Sequence, residues 1–182
     1  MPLITDKLFP LINRGIDVFE KYSITLAFAV ATLMLFTNVV LRYIFDTGFF
    51  WVLELVQYLF AWVVLVGAAH GVKVGIHLGI NIILERLAPR ARHITLVFAI
   101  TCCIVFVAIV DYQSILYTLK IQEWGDITQD LQIPQWIPYL AIPIGLSLML
   151  YHFLVLGYDI VRGKRKTIHT SDSPHIIEEL EQ

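Results

Sequence analysis

Four long apolar runs dominate this sequence and leave little chain for anything else. They are Ser23–Leu41, Phe50–His70, Ile94–Tyr117 and Trp136–Tyr158. The first and last contain no Asp, Glu, Lys or Arg, the second is interrupted only by Glu54, and the third only by Asp111. At ~1.5 Å per residue each run is long enough for a hydrocarbon core ~30 Å thick. A segment crossing lipid must pair every backbone group internally, so a single long run is read as a helix. Strands of a barrel would show alternating segments of ~10 residues, and these runs do not alternate.

The remaining pieces are short connections and ends, the longest being the Gly71–His93 loop and the tail 159–182. Neither is long enough to build its own core. The expectation is therefore one all-α integral membrane domain over residues 1–182, with no separate soluble module. Composition agrees: 58% hydrophobic and 15% charged residues stand against about 45–50% and about 25% in a soluble domain. High apolarity also excludes a disordered chain. A net charge of -2 gives no basic footprint for nucleic acid. Ala27-Phe28-Ala29 resembles a signal-cleavage triplet but lies inside the first run, so that run is read as a retained span.

Lys and Arg set the expected orientation. Grouped by side, Lys7, Arg14, Lys21, Lys73, Arg86, Arg90, Arg92, Arg162, Lys164, Arg165 and Lys166 fall on one face, against only Arg42 and Lys120 on the other. Both termini and the middle loop are thus expected in the cytoplasm. The Arg42–Phe49 and Thr118–Gln135 connections are expected outside, where Tyr43, Phe49, Phe50, Trp51, Tyr117, Trp124 and Trp136 form an aromatic belt. Leu8, Leu11, Ile12, Ile16 and Phe19 recur at helical spacing before the first span. Together with Ile76–Leu87, which precedes Pro89, they predict two amphipathic helices lying on the cytoplasmic membrane surface.

A charge inside a membrane is costly and needs a partner. Arg42, Glu54 and Asp111 all fall near the outer ends of their spans, so they are expected to pair with one another and lock the helices. A proton or ion relay is the sharper alternative, but relays favour carboxylates near mid-membrane. Gly67, Gly71, Gly75 and Gly79 recur every four residues, a small-residue row that lets helices approach closely. Trp62, too deep for the interfacial belt, is expected on a protein contact. His70 and His152 raise the question of a haem held between two helices; hydrogen-bonded histidines near helix ends are the plainer reading. Cys102 and Cys103 point about 100° apart on a helix and are read as packing residues. Pro143 is expected to kink the last span. No nucleophile constellation, phosphate loop or metal-ligand spacing is present, so no enzymatic activity is expected.

Two distant blocks carry a family resemblance. Arg42-Tyr43-Ile44-Phe45, Phe50-Trp51, Glu54, Trp62, Gly67-Ala68-Ala69, Lys73 and His77 form the first. Ile133-Pro134-Gln135-Trp136 with Tyr139-Leu140-Ala141-Ile142-Pro143-Ile144-Gly145 form the second. In order and spacing they resemble the small membrane subunit, DctQ type, of tripartite ATP-independent periplasmic (TRAP) transporters. The resemblance covers Ser23 to Tyr158. It implies an inner-membrane subunit that binds and supports a large membrane subunit. That larger partner would move an organic acid delivered by a periplasmic binding protein, driven by a sodium or proton gradient, with no cofactor in this chain. On that reading Trp62, Gly67 and Gly71 would pack against another helix or the large subunit, and Asp46, Lys120, Glu123 and Asp126 would face the binding protein. A haem-bearing cytochrome subunit and a stand-alone small transporter are the competing expectations.

Overall fold

The computed structural model describes residues 5–74 and 89–161. Among the described residues five helices follow one another: α1 Thr5–Ile44, α2 Trp51–Val74, α3 Pro89–Trp124, the short α4 Trp136–Tyr139, and α5 Ala141–Val161. Among the described residues there is no strand beyond one isolated bridge between Ile127 and Pro134. Four stretches are long and apolar enough to cross a membrane, with α4 and α5 together making the fourth. The predicted surface helix over Ile76–Leu87, the glycines Gly75 and Gly79, and most of the tail lie outside the described residues.

Two spans are longer than their apolar runs. The 40 residues of α1 extend about 60 Å, twice a hydrocarbon core. The amphipathic lead before the first span is therefore not a separate surface helix but the first turns of the same helix. No Pro or Gly separates Phe19 from Ser23, and Glu20 is anchored inside the protein, so the junction between lead and span stays helical. The 36 residues of α3 likewise run past Tyr117, turning Thr118–Trp124 from expected loop into helix. Gly125 ends it with a φ of +68°, the left-handed conformation glycine accepts without strain.

Helix neighbours are not sequence neighbours throughout. α1 packs on α2, α2 on α5, and α5 on α3. The result is a row with α1 and α3 at its ends. Ala31 of α1 meets Val52 and Val56 of α2. Val72, Val107 and Phe153 join α2, α3 and α5, with Cys103 beside them. Leu96 and Ile100 of α3 meet Leu156 and Ile160 of α5. In lipid such contacts stabilise by close packing rather than by removal from water.

Pro143 acts where the sequence places it. Its ring has no N–H to offer the carbonyl of Tyr139, and the helix is interrupted between Tyr139 and Ala141. Pairing resumes when the Ile144 N–H donates to the Leu140 carbonyl at 3.2 Å. Loss of an i→i−4 bond and a clash with the i−4 carbonyl account for the break.

Candidate functional site

The polar groups gather at the two ends of the helices. At the end where α1 begins and α2 and α5 finish, Glu20 is fully buried. One of its oxygens is 2.9 Å from His70 Nδ1 and the other 2.6 Å from His152 Nε2. One carboxylate thereby ties α1 to both α2 and α5. Asp17, one turn earlier, pairs with Lys73 of α2. Another turn back, the Tyr151 hydroxyl donates to Asn13 Oδ1 at 2.6 Å. Buried charge is tolerated in lipid only when paired and hydrogen-bonded, and this cluster meets that condition.

Sequence reasoning missed this cluster. Glu20 and Asp17 sit among Arg14, Lys21 and other polar residues, where they read as the solvated face of an amphipathic lead. The available signal was the pair of histidines: their expected hydrogen bonding is what the structure shows, but the sequence does not name Glu20 as the shared partner. Both rings are turned onto Glu20, and this geometry does not favour the haem alternative.

At the opposite end, Glu54 is central but does not lock onto Arg42. Its carboxylate accepts from three successive backbone N–H groups, Gln129 at 3.2 Å, Asp130 at 2.8 Å and Leu131 at 2.9 Å. The Tyr58 hydroxyl adds a bond at 2.9 Å. Successive N–H groups converging on an anion form a nest, here filled from within the chain. The loop itself is folded: the Thr128 N–H donates to the Ile133 carbonyl at 2.9 Å and the Ile133 N–H to Thr128 Oγ1 at 3.1 Å. Gln132, with a φ of +54°, sends its amide to the Thr128 and Gln129 carbonyls. Replacing Glu54 with Ala is expected to release the amides of Gln129–Leu131, read as faster hydrogen exchange confined to that tip. Unaltered protection there would refute the anchoring role.

Asp111 and Arg42 have different surroundings. Asp111 is buried on α3, and its Oδ2 accepts from Ser147 Oγ of α5 at 3.0 Å. Its other oxygen has no hydrogen-bond partner. Arg42 is exposed at the end of α1. Among the described residues no ion pair joins Arg42, Glu54 and Asp111. Opposite charges at similar depth did not meet because the helix row separates α1 from α3, and the loop amides claim Glu54 first. Asp111 still joins two helices, through a serine rather than an ion pair.

Within the chain the glycine row makes no close approach at Gly67. A Cβ built on Gly67 would meet nothing within 4 Å, so this glycine leaves open space rather than a tight contact inside the chain. Close approach occurs instead at Gly145 of α5, where a Cβ would lie 2.6 Å from Leu65 Cβ and 3.1 Å from the Leu65 carbonyl carbon. Trp62 and Gly71 are half-buried. Asp46, Lys120, Glu123 and Asp126 are all exposed at the end that carries the folded loop.

Comparison with known proteins places this arrangement. Residues 31–163 match the family described as tripartite ATP-independent periplasmic transporters, DctQ component. The chain is 30% identical, over 86% of its length and 77% of the relative's, to the C4-dicarboxylate TRAP transporter small permease protein DctQ of Vibrio cholerae. It is 33% identical to the protein of the same name from Rhodobacter capsulatus, over 69% of this chain and 52% of that one. It is also 29% identical to the isethionate TRAP transporter permease protein DctMQ of Oleidesulfovibrio alaskensis, over 57% of this chain but only 16% of that one. With its four apolar helices and this match across three of them and the last third of the first, the chain belongs to the DctQ component family of the tripartite ATP-independent periplasmic transporters.

Proposed function

We propose that this subunit works as a fixed scaffold for a larger membrane subunit and performs neither transport nor catalysis by itself. One observation carries this reading. Exposed apolar residues cover much of α1, and among them Phe19, Tyr22, Leu26, Leu33, Phe36 and Tyr43 fall at heptad spacing. Apolar residues at that period form the seam of two packed helices. The most apolar window of α1 is also the least buried of the four spans, at 6% against 17% in α3. The α1 stripe is accordingly assigned to a helix of the large subunit, and the exposed face of α3 to acyl chains of membrane lipid. The DctMQ relative supports this pairing, since the aligned part is a small fraction of a much longer permease chain.

The folded loop end, with Asp46, Lys120, Glu123 and Asp126, then faces the periplasm and meets the binding protein, while the basic end faces the cytoplasm. Relatives are named for C4-dicarboxylate and for isethionate. Both are small organic anions, and a small organic acid is the proposed substrate of the assembled transporter. A sodium or proton gradient supplies the energy to the large subunit, and this chain uses no cofactor in the process.

The test is a photo-reactive residue placed at Leu33 or at Phe106, in cells that also make the large subunit. Capture of the large subunit from Leu33 and not from Phe106 is expected. Capture from Phe106 alone would move the docking face to α3, and a failure of the two proteins to co-purify would remove the scaffold role.

A further inference from the structure

The cluster at the basic end holds more than helix-joining contacts. Asp17, Glu20 and His70 each offer one ligand atom, and these three atoms all lie within 4.8 Å of one another. Two ligands come from one face of α1 at a spacing of three residues and the third from α2, the pattern by which helix bundles build metal sites from facing helices. A carboxylate, a carboxylate and an imidazole suit a divalent ion of the zinc class better than calcium or magnesium, which favour all-oxygen sets. We propose that Asp17, Glu20 and His70 bind a divalent transition-metal ion of this class, with Lys73 holding the cation position when no ion is present.

Three further features fit that assignment. His152 bonds the second oxygen of Glu20 at 2.6 Å, so the ligand carboxylate is oriented by an outer partner, as metal-binding carboxylates are. The site can be reached: the Asp17, His70 and Lys73 side chains are 27%, 23% and 34% exposed, while Glu20 is closed off. Charge also balances. Two carboxylates, Asp17 and Glu20, gather around the single ammonium of Lys73, so a divalent ion in its place matches the two carboxylates in formal charge. A four-coordinate ion with ligands at ~2.0–2.1 Å needs its ligand atoms about 3.3 Å apart. Rotation of the partly exposed Asp17 and His70 supplies the contraction, and the flexible stem of Lys73 lets its ammonium swing to solvent.

This inference is independent of the large subunit and is tested on the full chain purified in detergent, stripped with a chelator and titrated calorimetrically with zinc ion. Saturable binding of a single ion per chain is expected, with magnesium giving no heat at the same concentrations. Lys73→Met removes the competing cation and is expected to tighten binding. His70→Ala and Asp17→Asn are expected to abolish it, and His152→Ala to weaken it by about 10- to 100-fold. Glu20 is left intact because its loss would unsettle the helices, and thermal unfolding confirms that each variant is folded. No saturable binding to either the native chain or Lys73→Met would overturn the site. Binding that survives His70→Ala would place the ion on other histidines. Equal affinity in Lys73→Met would overturn the role given to Lys73.

Discussion

Gly145→Leu is expected to separate α2 from α5 and abolish the native arrangement of the row. Even a single added carbon at Gly145 would lie 2.6 Å from Leu65 Cβ, with the Leu65 carbonyl carbon at 3.1 Å and its oxygen at 3.3 Å. The obstacle is backbone and Cβ, neither of which can rotate away. Overpacking typically costs ~1–3 kcal/mol where side chains can adjust, and here they cannot. Gly145→Ala is expected to lower the thermal unfolding temperature of the detergent-purified chain, and Gly145→Leu to leave little folded protein. Leu65→Ala should not rescue either variant, because alanine keeps the offending Cβ. Gly67→Ala is the matched control, with open space around it and a neutral effect on the isolated chain. A reversed order, with Gly67→Ala the more damaging, would refute the assignment.

Glu20→Ala is expected to be the most damaging change among the polar residues. Removing the shared acceptor leaves ring nitrogens of His70 and His152 unsatisfied, at ~1–3 kcal/mol for each buried group. Here one carboxylate serves two histidines on two helices, so its loss frees α1 from α2 and α5 together. Single His70→Ala or His152→Ala changes leave the other bond in place and are expected to cost less. The losses should be strongly non-additive, since residues of one network couple. In the triple variant the final histidine replacement should add little. Thermal unfolding of the set, in chelator so that metal plays no part, measures this. Strict additivity would mean that the three side chains do not act as one unit.

The four spans were legible because lipid imposes a simple rule: each needs ~20 apolar residues, and nothing else in the chain provides them. The break before Pro143 was legible for a similar reason, since a missing N–H acts locally on the carbonyl four residues back. The long-range polar partners were not legible. Glu54 reads as a buried charge seeking a cation. Its partners are backbone amides of a loop 75 to 77 residues away, and amides carry no signature in sequence. Glu20 reads as solvated because the lead around it is charged; its burial is decided by His70 and His152 on two other helices. Spacing also cannot tell which small residue meets a neighbour. The conspicuous row ending at Gly79 suggested one face of α2, whereas the tight approach uses the isolated Gly145 on α5.

The order of helices in the row has a consequence for how the chain is made. α3 is synthesised before α5, yet its main packing surface is on α5, and α5 lies between it and α2. During insertion α1 and α2 can pair at once as neighbours in sequence, while α3 stands in the bilayer without its partner. Only when the last span arrives does α3 gain a place, so α5 closes the assembly from the middle. A chain truncated before Ala141 and released into the membrane should therefore hold a paired α1 and α2 beside an α3 that lacks its main partner. In that state the helix completed third is the one most open to capture by quality-control proteases of the membrane.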